Sequence, residues 1–193
     1  MARVGVLALQ GGFAPHLQAL QEAGLEACEV RSAEELEGVE GMVLPGGEST
    51  AQKRLLERHG LWSALAAFGA SGRPILATCA GLILAARQVR PAQASFGWLD
   101  VSVDRNAYGR QLDSFEDLAD SGEPLVFIRA PRILTVGEGV EVLTRWRGEP
   151  VLVRGGAVVG ATFHPELTRD RRVHRLAFSS LLEGRQAQRA RVT

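Results

Sequence analysis

The chain has only two cysteines, Cys28 and Cys79, in 193 residues. That excludes a disulfide framework. It has no excess of either charge: 22 basic residues face 22 acidic ones. No long-range field therefore argues for nucleic acid or an anionic membrane as partner. No run approaches the ~18 apolar residues of a membrane span. The four histidines stand apart in the sequence, and no Cys/His pair has ligand spacing, so no metal is expected. Linkers, repeats and low-complexity blocks are also absent. The opening Met1-Ala-Arg-Val-Gly-Val-Leu-Ala-Leu carries one charge and a very short apolar run before Gln10-Gly-Gly. It reads as a first core strand, not a signal peptide, and the expected compartment is the cytoplasm.

What is present is an ordinary globular composition, 46% apolar and 23% charged. The length suits a single domain over 1–184, with a basic solvated tail over 185–193. The first half alternates strand and helix. Strands are expected at Val4 to Leu9, Glu26 to Val30, Gly41 to Pro45 and Pro74 to Thr78. Helices are expected at Pro15 to Ala23, Ala33 to Leu36, Ser49 to Arg58, Leu61 to Phe68 and Ala80 to Arg87. On the first of these, Leu17, Leu20 and Gln21 mark one face. The second half is richer in strand signals: Trp98 to Arg105, Leu125 to Arg129, Val140 to Trp146, Val151 to Val153 and Val158 to Phe163. One helix, Val173 to Leu182, follows. Alternating βα units imply a doubly wound parallel sheet, and the later strands imply an antiparallel extension. The fold class is α/β, three-layer α/β/α with a mostly parallel mixed sheet.

The most informative stretch is Pro74-Ile-Leu-Ala-Thr-Cys-Ala-Gly-Leu-Ile-Leu-Ala. An apolar strand ends in Cys79, with small residues two positions to either side, Ala77 and Gly81, and a helix follows at once. This is the cysteine form of a strand–turn–helix nucleophile elbow. It exposes the sulfur at a strand end and at a helix start, where free N–H groups favour the reactive thiolate. Cys28, in Leu25-Glu-Ala-Cys-Glu-Val, reads as core. Far downstream, Val158-Val-Gly-Ala-Thr-Phe-His-Pro-Glu-Leu is a second strand ending in polar residues. His164 and Glu166 are two apart and point the same way in extended backbone, and Pro165 keeps His164 out of helical backbone. Nucleophile, base and orienter make a triad: Cys79, His164, Glu166. Gly46-Gly47, Cys79 and His164 all lie just past strand C-termini. That is the rim where open α/β sheets bind ligands.

Leu44-Pro-Gly-Gly-Glu-Ser-Thr, Ala77-Thr-Cys-Ala-Gly and Phe163-His-Pro-Glu resemble class I, triad-type glutamine amidotransferases. Three more segments narrow the resemblance to glutaminase subunits of pyridoxal 5′-phosphate synthase. They are Gly5-Val-Leu-Ala-Leu-Gln-Gly, Arg105-Asn-Ala-Tyr-Gly-Arg-Gln with Asp113-Ser-Phe-Glu, and Phe127-Ile-Arg-Ala-Pro. The resemblance runs from Val4 to about Leu182. It implies Cys79 as nucleophile, His164 as base and Glu166 as its orienter. It implies Gly47, Glu48, Ser49, Arg105, Ile128 and Arg129 as L-glutamine contacts, with the backbone N–H groups of Gly47 and Ala80 as the oxyanion hole. The implied activity is hydrolysis of L-glutamine, the ammonia passing to a separate synthase subunit, with no metal or organic cofactor.

The chain departs from the family pattern at Ala77, where Gly is usual, and at Pro15, where an acidic residue precedes His16. Pro15 lies in a segment that resembles one used at the synthase interface. On general grounds His16, His59 and His174 read as surface residues. Rival readings are the glutaminase of another synthase, such as the imidazole glycerol phosphate one, and a non-catalytic assembly subunit. A third is a Cys-elbow hydrolase of the chaperone or peptidase type. The segment from Arg105, the intact triad and the distant His-Pro-Glu argue against them in turn.

Overall fold

The computed structural model describes residues 2–107 and 114–190, the last six by backbone alone. In chain order the elements are β1 (Arg3–Leu7), α1 (Phe13–Glu22), β2 (Glu26–Val30), a 3-10 turn (Glu34–Leu36), β3 (Gly41–Leu44), α2 (Ser49–Arg58) and α3 (Leu61–Ala70). Then come β4 (Ile75–Thr78), α4 (Ala80–Ala85), β5 (Ala86–Arg90), β6 (Leu99–Asp104), β7 (Phe115–Leu118), β8 (Pro124–Phe127), β9 (Arg132–Val136) and β10 (Val140–Trp146). The chain continues through β11 (Glu149–Gly155), β12 (Val158–Ala161), a 3-10 turn (Pro165–Leu167), α5 (Arg172–Ala177) and α6 (Ser179–Ala190).

The main sheet has seven strands in the order β10-β11-β12-β4-β3-β1-β2. From β12 to β2 all neighbours are parallel. Only β11 runs against the rest, pairing antiparallel with both β10 and β12. The period-2 alternation of the strands divides the core into two layers. Leu7, Met42, Leu44, Ile75 and Ala77 face one side, packed with Leu56, Leu61, Leu65 and Phe68 of α2 and α3 and with Leu82 of α4. Val4, Val6, Val43 and Leu76 face the other, with Leu20 of α1 and Ala177 and Phe178 beside α5. Two small sheets flank this body, β5-β6-β9 and the β7-β8 pair. This is the expected three-layer α/β arrangement.

Three local expectations are corrected. The helix after the elbow stops at Ala85, because Ala86 turns extended (ψ 148°) and Ala86–Arg90 pairs in parallel with β6. Ala, Arg and Gln favour helix there, but the ladder prevails. The expected helix from Val173 is broken in two at Phe178. That side chain is fully buried, and a Cβ at Gly41 would lie 2.8 Å from its ring, so the chain reorients to seat it at the foot of β3. The last helix also runs on to Ala190, six residues into the segment expected to be a tail. That segment has no Gly or Pro after Gly184 and is rich in helix formers. Among the described residues, no helix is long and apolar enough to cross a membrane.

Candidate active site

Cys79 is the junction of β4 and α4, at φ 49° and ψ −105°. Only three non-glycine residues among those described have positive φ, and two of them, Cys79 and Arg129, line the same cleft. Such backbone costs on the order of 1–3 kcal/mol and persists only where the surroundings enforce it. Here the enforcement is visible. The Cys79 N–H donates to Ala161 O (2.8 Å), extending the β4–β12 ladder, while Cys79 O accepts from Ile83 N (3.2 Å). Gly81 lets α4 start against β3: a Cβ at that position would sit 2.0 Å from Leu44 O. Ala77 is fully buried in the core on the α4 side, so its methyl group is accommodated.

β12 is the neighbour of β4, so the chain leaving it passes beside the elbow. His164 N–H donates to Val126 O (2.8 Å) on β8, and the turn Pro165–Leu167 brings Glu166 back. His164 Nδ1 and Glu166 Oε1 are 2.7 Å apart, and both residues are buried. A buried carboxylate at Nδ1 fixes the tautomer and leaves Nε2 for the thiol. Among the described residues Nε2 has no formed hydrogen bond, and Cys79 Sγ approaches Ile128 O at 3.7 Å. Burial would lower the His164 pKa, but the nearby Cys79 sulfur and the hydrogen bond to Glu166, with the negative charge of both, raise it to about 10. Burial would likewise raise Glu166, yet the His16 ring at one oxygen and the hydrogen bond and charge of His164 at the other hold it below the usual carboxylate range. The pair is therefore set up as imidazolium and carboxylate next to the sulfur.

A cleft of about 310 Å³ opens over this pair. Gly46, Gly47 and Glu48 form one wall, Ile128 and Arg129 another, with Gln10, Gly12 and Leu167 at the rim. Gly46 is wedged against His164 and Cys79: a Cβ there would lie 2.3 Å from His164 Cε1 and 3.3 Å from Cys79 Cβ. The Gly46-Gly47 loop is tied down from the β1–α1 connection. Gly12 N–H donates to Gly46 O (3.0 Å), Glu48 N–H donates to Gln10 Oε1 (2.9 Å), and Gln52 Nε2 donates to Pro45 O and Gln10 O (both 3.1 Å). Glu48 turns its carboxylate onto the start of α2, accepting from Thr50 N–H (3.2 Å) and Ala51 N–H (2.7 Å). Burial opposes ionisation of Glu48, but those N–H groups outweigh it and hold its pKa down.

The structure thus brings Cys79, His164, Glu166, Gly47, Glu48, Ile128 and Arg129 around one cleft, with Ala80 the first helical residue after the sulfur. Ser49 and Arg105 stand behind that wall. Arg105 Nη1 donates to Thr50 Oγ1 (3.2 Å) and to Gln93 Oε1, and Ser49 Oγ donates to the same Gln93 oxygen (3.1 Å). The rest of that motif, from Tyr108 to Asp113, lies outside the described residues.

Sequence reasoning missed several supporting residues. Gln10 follows a strand C-terminus, a position that could have flagged it. Gln52 and Gln93 carry no comparable signal. His16 and His174, expected on the surface, are both fully buried. His16 shares the inner face of α1 with Ala19 and Leu20, an i, i+3, i+4 set displaced from the Leu17-Gln21 face read from sequence. Pro15 does not disturb this helix, because it falls in the first turn, where an N–H has no intrahelical partner. His59 is exposed, and Cys28 is half-buried beside the core.

A strained thiol elbow, a histidine–carboxylate pair and a glycine loop, all on the C-terminal rim of a doubly wound sheet, define the class of triad-type glutamine amidotransferase domains. The model of the SNO glutamine amidotransferase family matches residues 6–182, and the chain belongs to that family. Among curated relatives, a pyridoxal 5′-phosphate synthase subunit PdxT from Shouchella clausii (strain KSM-K16) is 46% identical over 187 residues, 94% of this chain and 96% of that protein. The subunit of the same name from Parafrankia sp. (strain EAN1pec) is 52% identical over 183 residues, 90% of each. A crystal structure of a glutamine amidotransferase superposes with a TM-score of 0.84 at 45% identity, covering 91% of this chain and 97% of that one. PurLQS from Thermotoga maritima shares the fold, with a TM-score of 0.69 at 17% identity over 93% and 99% of the two chains.

Proposed function

We propose that this chain is the glutaminase subunit of a pyridoxal 5′-phosphate synthase. It hydrolyses L-glutamine to L-glutamate and ammonia and hands the ammonia to a synthase subunit. One observation carries the reading: a thiol at a strained elbow shares a cleft with a buried His164–Glu166 pair, in a chain of the amidotransferase family. The names of the relatives support the particular pathway. Residues 1–184 act as one catalytic domain in the cytoplasm, where glutamine is available.

The chemistry follows from the geometry. Cys79 attacks the amide carbon as thiolate. The developing oxyanion is held by the backbone N–H groups of Ala80 and Gly47. His164, already protonated because its pKa stands near 10, gives its proton to the departing ammonia. The neutral imidazole then activates water against the γ-glutamyl thioester, and Glu166 stabilises the imidazolium each time it forms. Arg129, in the cleft wall, suits the α-carboxylate of the substrate. Glu48 and Ile128 line the same glutamine site, and Ser49 and Arg105 brace its wall from behind through Gln93.

The test is a glutaminase assay of the chain with and without its synthase subunit, next to Cys79→Ala. Ammonia release that is lost in Cys79→Ala supports the assignment. Release that survives the substitution refutes it.

A further inference from the structure

Behind the triad lies a second row of buried groups that the mechanism above does not use. His16 on α1 and His174 on α5 are both fully buried. His16 Nδ1 is 3.0 Å from His174 Nε2. His16 Nε2 is 3.2 Å from Thr78 Oγ1, with hydrogen-bond geometry, and 3.2 Å from Glu166 Oε2, a contact not aligned as a hydrogen bond, so that Oε2 has no formed hydrogen-bond partner among the described residues. Thr78 is the residue immediately before the nucleophile. Glu166 therefore has a histidine at each oxygen: His164 at Oε1 and His16 at Oε2.

Proton placement in this row follows from elimination. Burial lowers the pKa of His16 to about 4, the Glu166 charge opposing and His164 and Arg171 assisting. Burial lowers His174 to about 3, with His16 and Arg171 assisting and Asp170 opposing. Both are neutral at pH 7, and each has one N–H. If His16 carried it on Nδ1, its Nε2 lone pair would face a carboxylate oxygen at 3.2 Å. His174 would then hold an N–H on Nδ1, which has no partner among the described residues. An unmade buried donor and a lone-pair clash are both costly. The opposite assignment removes both faults. His174 Nε2–H donates to His16 Nδ1, and His16 Nε2–H serves Thr78 and Glu166.

We propose that His16 is a positioning residue of the triad, its tautomer set by His174: its Nε2–H is the donor that faces Glu166 Oε2 and so favours the orientation in which Oε1 is aimed at His164 Nδ1. A carboxylate gripped at one oxygen can rotate about its terminal torsion, which is broad. With a donor facing the second oxygen as well, that rotation is restrained. The inference rests on Cys79, His164 and Glu166 acting as the triad of the proposed glutaminase.

The experiment compares wild type, His16→Phe, His16→Gln and His174→Phe, each assembled with the synthase subunit. Phe keeps a ring of similar size without a donor, and the Gln amide restores a donor near Nε2. Two readouts are used: kcat and KM for glutamine, and the pH profile of Cys79 alkylation by iodoacetamide, followed on the Cys79 peptide without glutamine. His16→Phe is expected to lower kcat about tenfold with KM within about twofold, the size of one lost hydrogen bond to a charged group. Its alkylation profile moves to higher pH, because a poorly held Glu166 stabilises the imidazolium less. His16→Gln recovers both readouts, and His174→Phe falls between. Unchanged kcat and an unchanged profile in folded His16→Phe overturn the proposal. So does a loss that His16→Gln fails to recover, or one that tracks only a fall in melting temperature. Should His16→Phe not fold, His16→Gln and His174→Phe decide by the same criteria. A wild type without glutaminase activity would sink the function proposed above, while the alkylation profiles would still score His16.

Discussion

Cys79 sits in backbone that L-residues avoid, and the ladder bond to Ala161 keeps it there. Cys79→Ser preserves the elbow but removes the sulfur. Glutamine hydrolysis is expected to disappear with the melting temperature nearly unchanged, as steady-state assay and thermal melts would show together. His164→Asn is expected to cost at least ~10²-fold in rate. Glu166→Gln should cost less, since the orienter acts through the base, and the reverse order in kcat would contradict the assigned roles. The protonation state has its own signature. A His164 pKa raised to about 10 means that the acid needed by the leaving ammonia is present throughout neutral pH. The rate is expected to hold from neutral pH upward and to fall only as pH approaches 10, which a pH–rate profile would reveal. The buried histidines behave oppositely in stability. His16 and His174 have folded pKa values of about 4 and 3 against 6.5 unfolded, so in acid the unfolded chain binds the extra protons. Their neutral burial favours folding fully above about pH 6.5 and progressively less as pH falls toward 3. Each adds a slope of up to ~1.4 kcal/mol per pH unit in that window. Urea midpoints taken between pH 7 and pH 4 should fall, and fall less steeply in His174→Phe.

At the scale of elements, the site depends on how closely α4 approaches β3. Gly81→Ala puts a methyl group 2.0 Å from Leu44 O, and backbone must move to admit it. The expected cost is ~1–3 kcal/mol, or a fall of several degrees in melting temperature for a chain of this size. Activity should fall further than stability implies, because the displaced element carries Cys79 and Ala80. A melt and a kcat on the same preparation would separate the two effects. The neighbouring correction has the same origin. Ala86–Arg90 contains good helix formers, but a partner strand, β6, offers a ladder, and Ala86 and Val89 are buried in it. Local propensity is worth tenths of a kcal/mol per residue and loses to such pairing.

At the scale of the molecule, the Gly46-Gly47 loop is where a partner can act. Bonds to Gln10, Gly12 and Gln52 hold it, so the β1–α1 connection sets the conformation of the loop and of the Gly47 N–H proposed as an oxyanion donor. A synthase subunit that shifts that connection would shift the donors. Adding the synthase subunit is expected to raise kcat by up to about 10²–10³-fold, the worth of one oxyanion donor, with a smaller effect on KM. Kinetics with and without the partner measure this, and an isolated chain already at full rate would mean that the donors are preformed.

The elbow, the His164–Glu166 pairing and the parallel strands were legible in the sequence, because each rests on short-range rules, although a 3-10 turn over Pro165–Leu167 replaces the extended backbone expected between His164 and Glu166. Small residues flank a tight turn, Pro165 excludes helix at His164, and near-continuous apolar runs mark strands buried on both faces. The register that sets β12 beside β4, and so His164 beside Cys79, could be expected only as a shared rim. Long-range pairing decided it. The same holds for the row behind the triad. His16 and His174 lie 158 positions apart, and each alone reads as an ordinary polar residue on a helix. Packing α1 and α5 on the same face of the sheet turns both inward. Once water is excluded, two neutral imidazoles must find their partners in each other, in Thr78 and in Glu166. Burial of that kind belongs to the assembled layers, and no window of the sequence contains it.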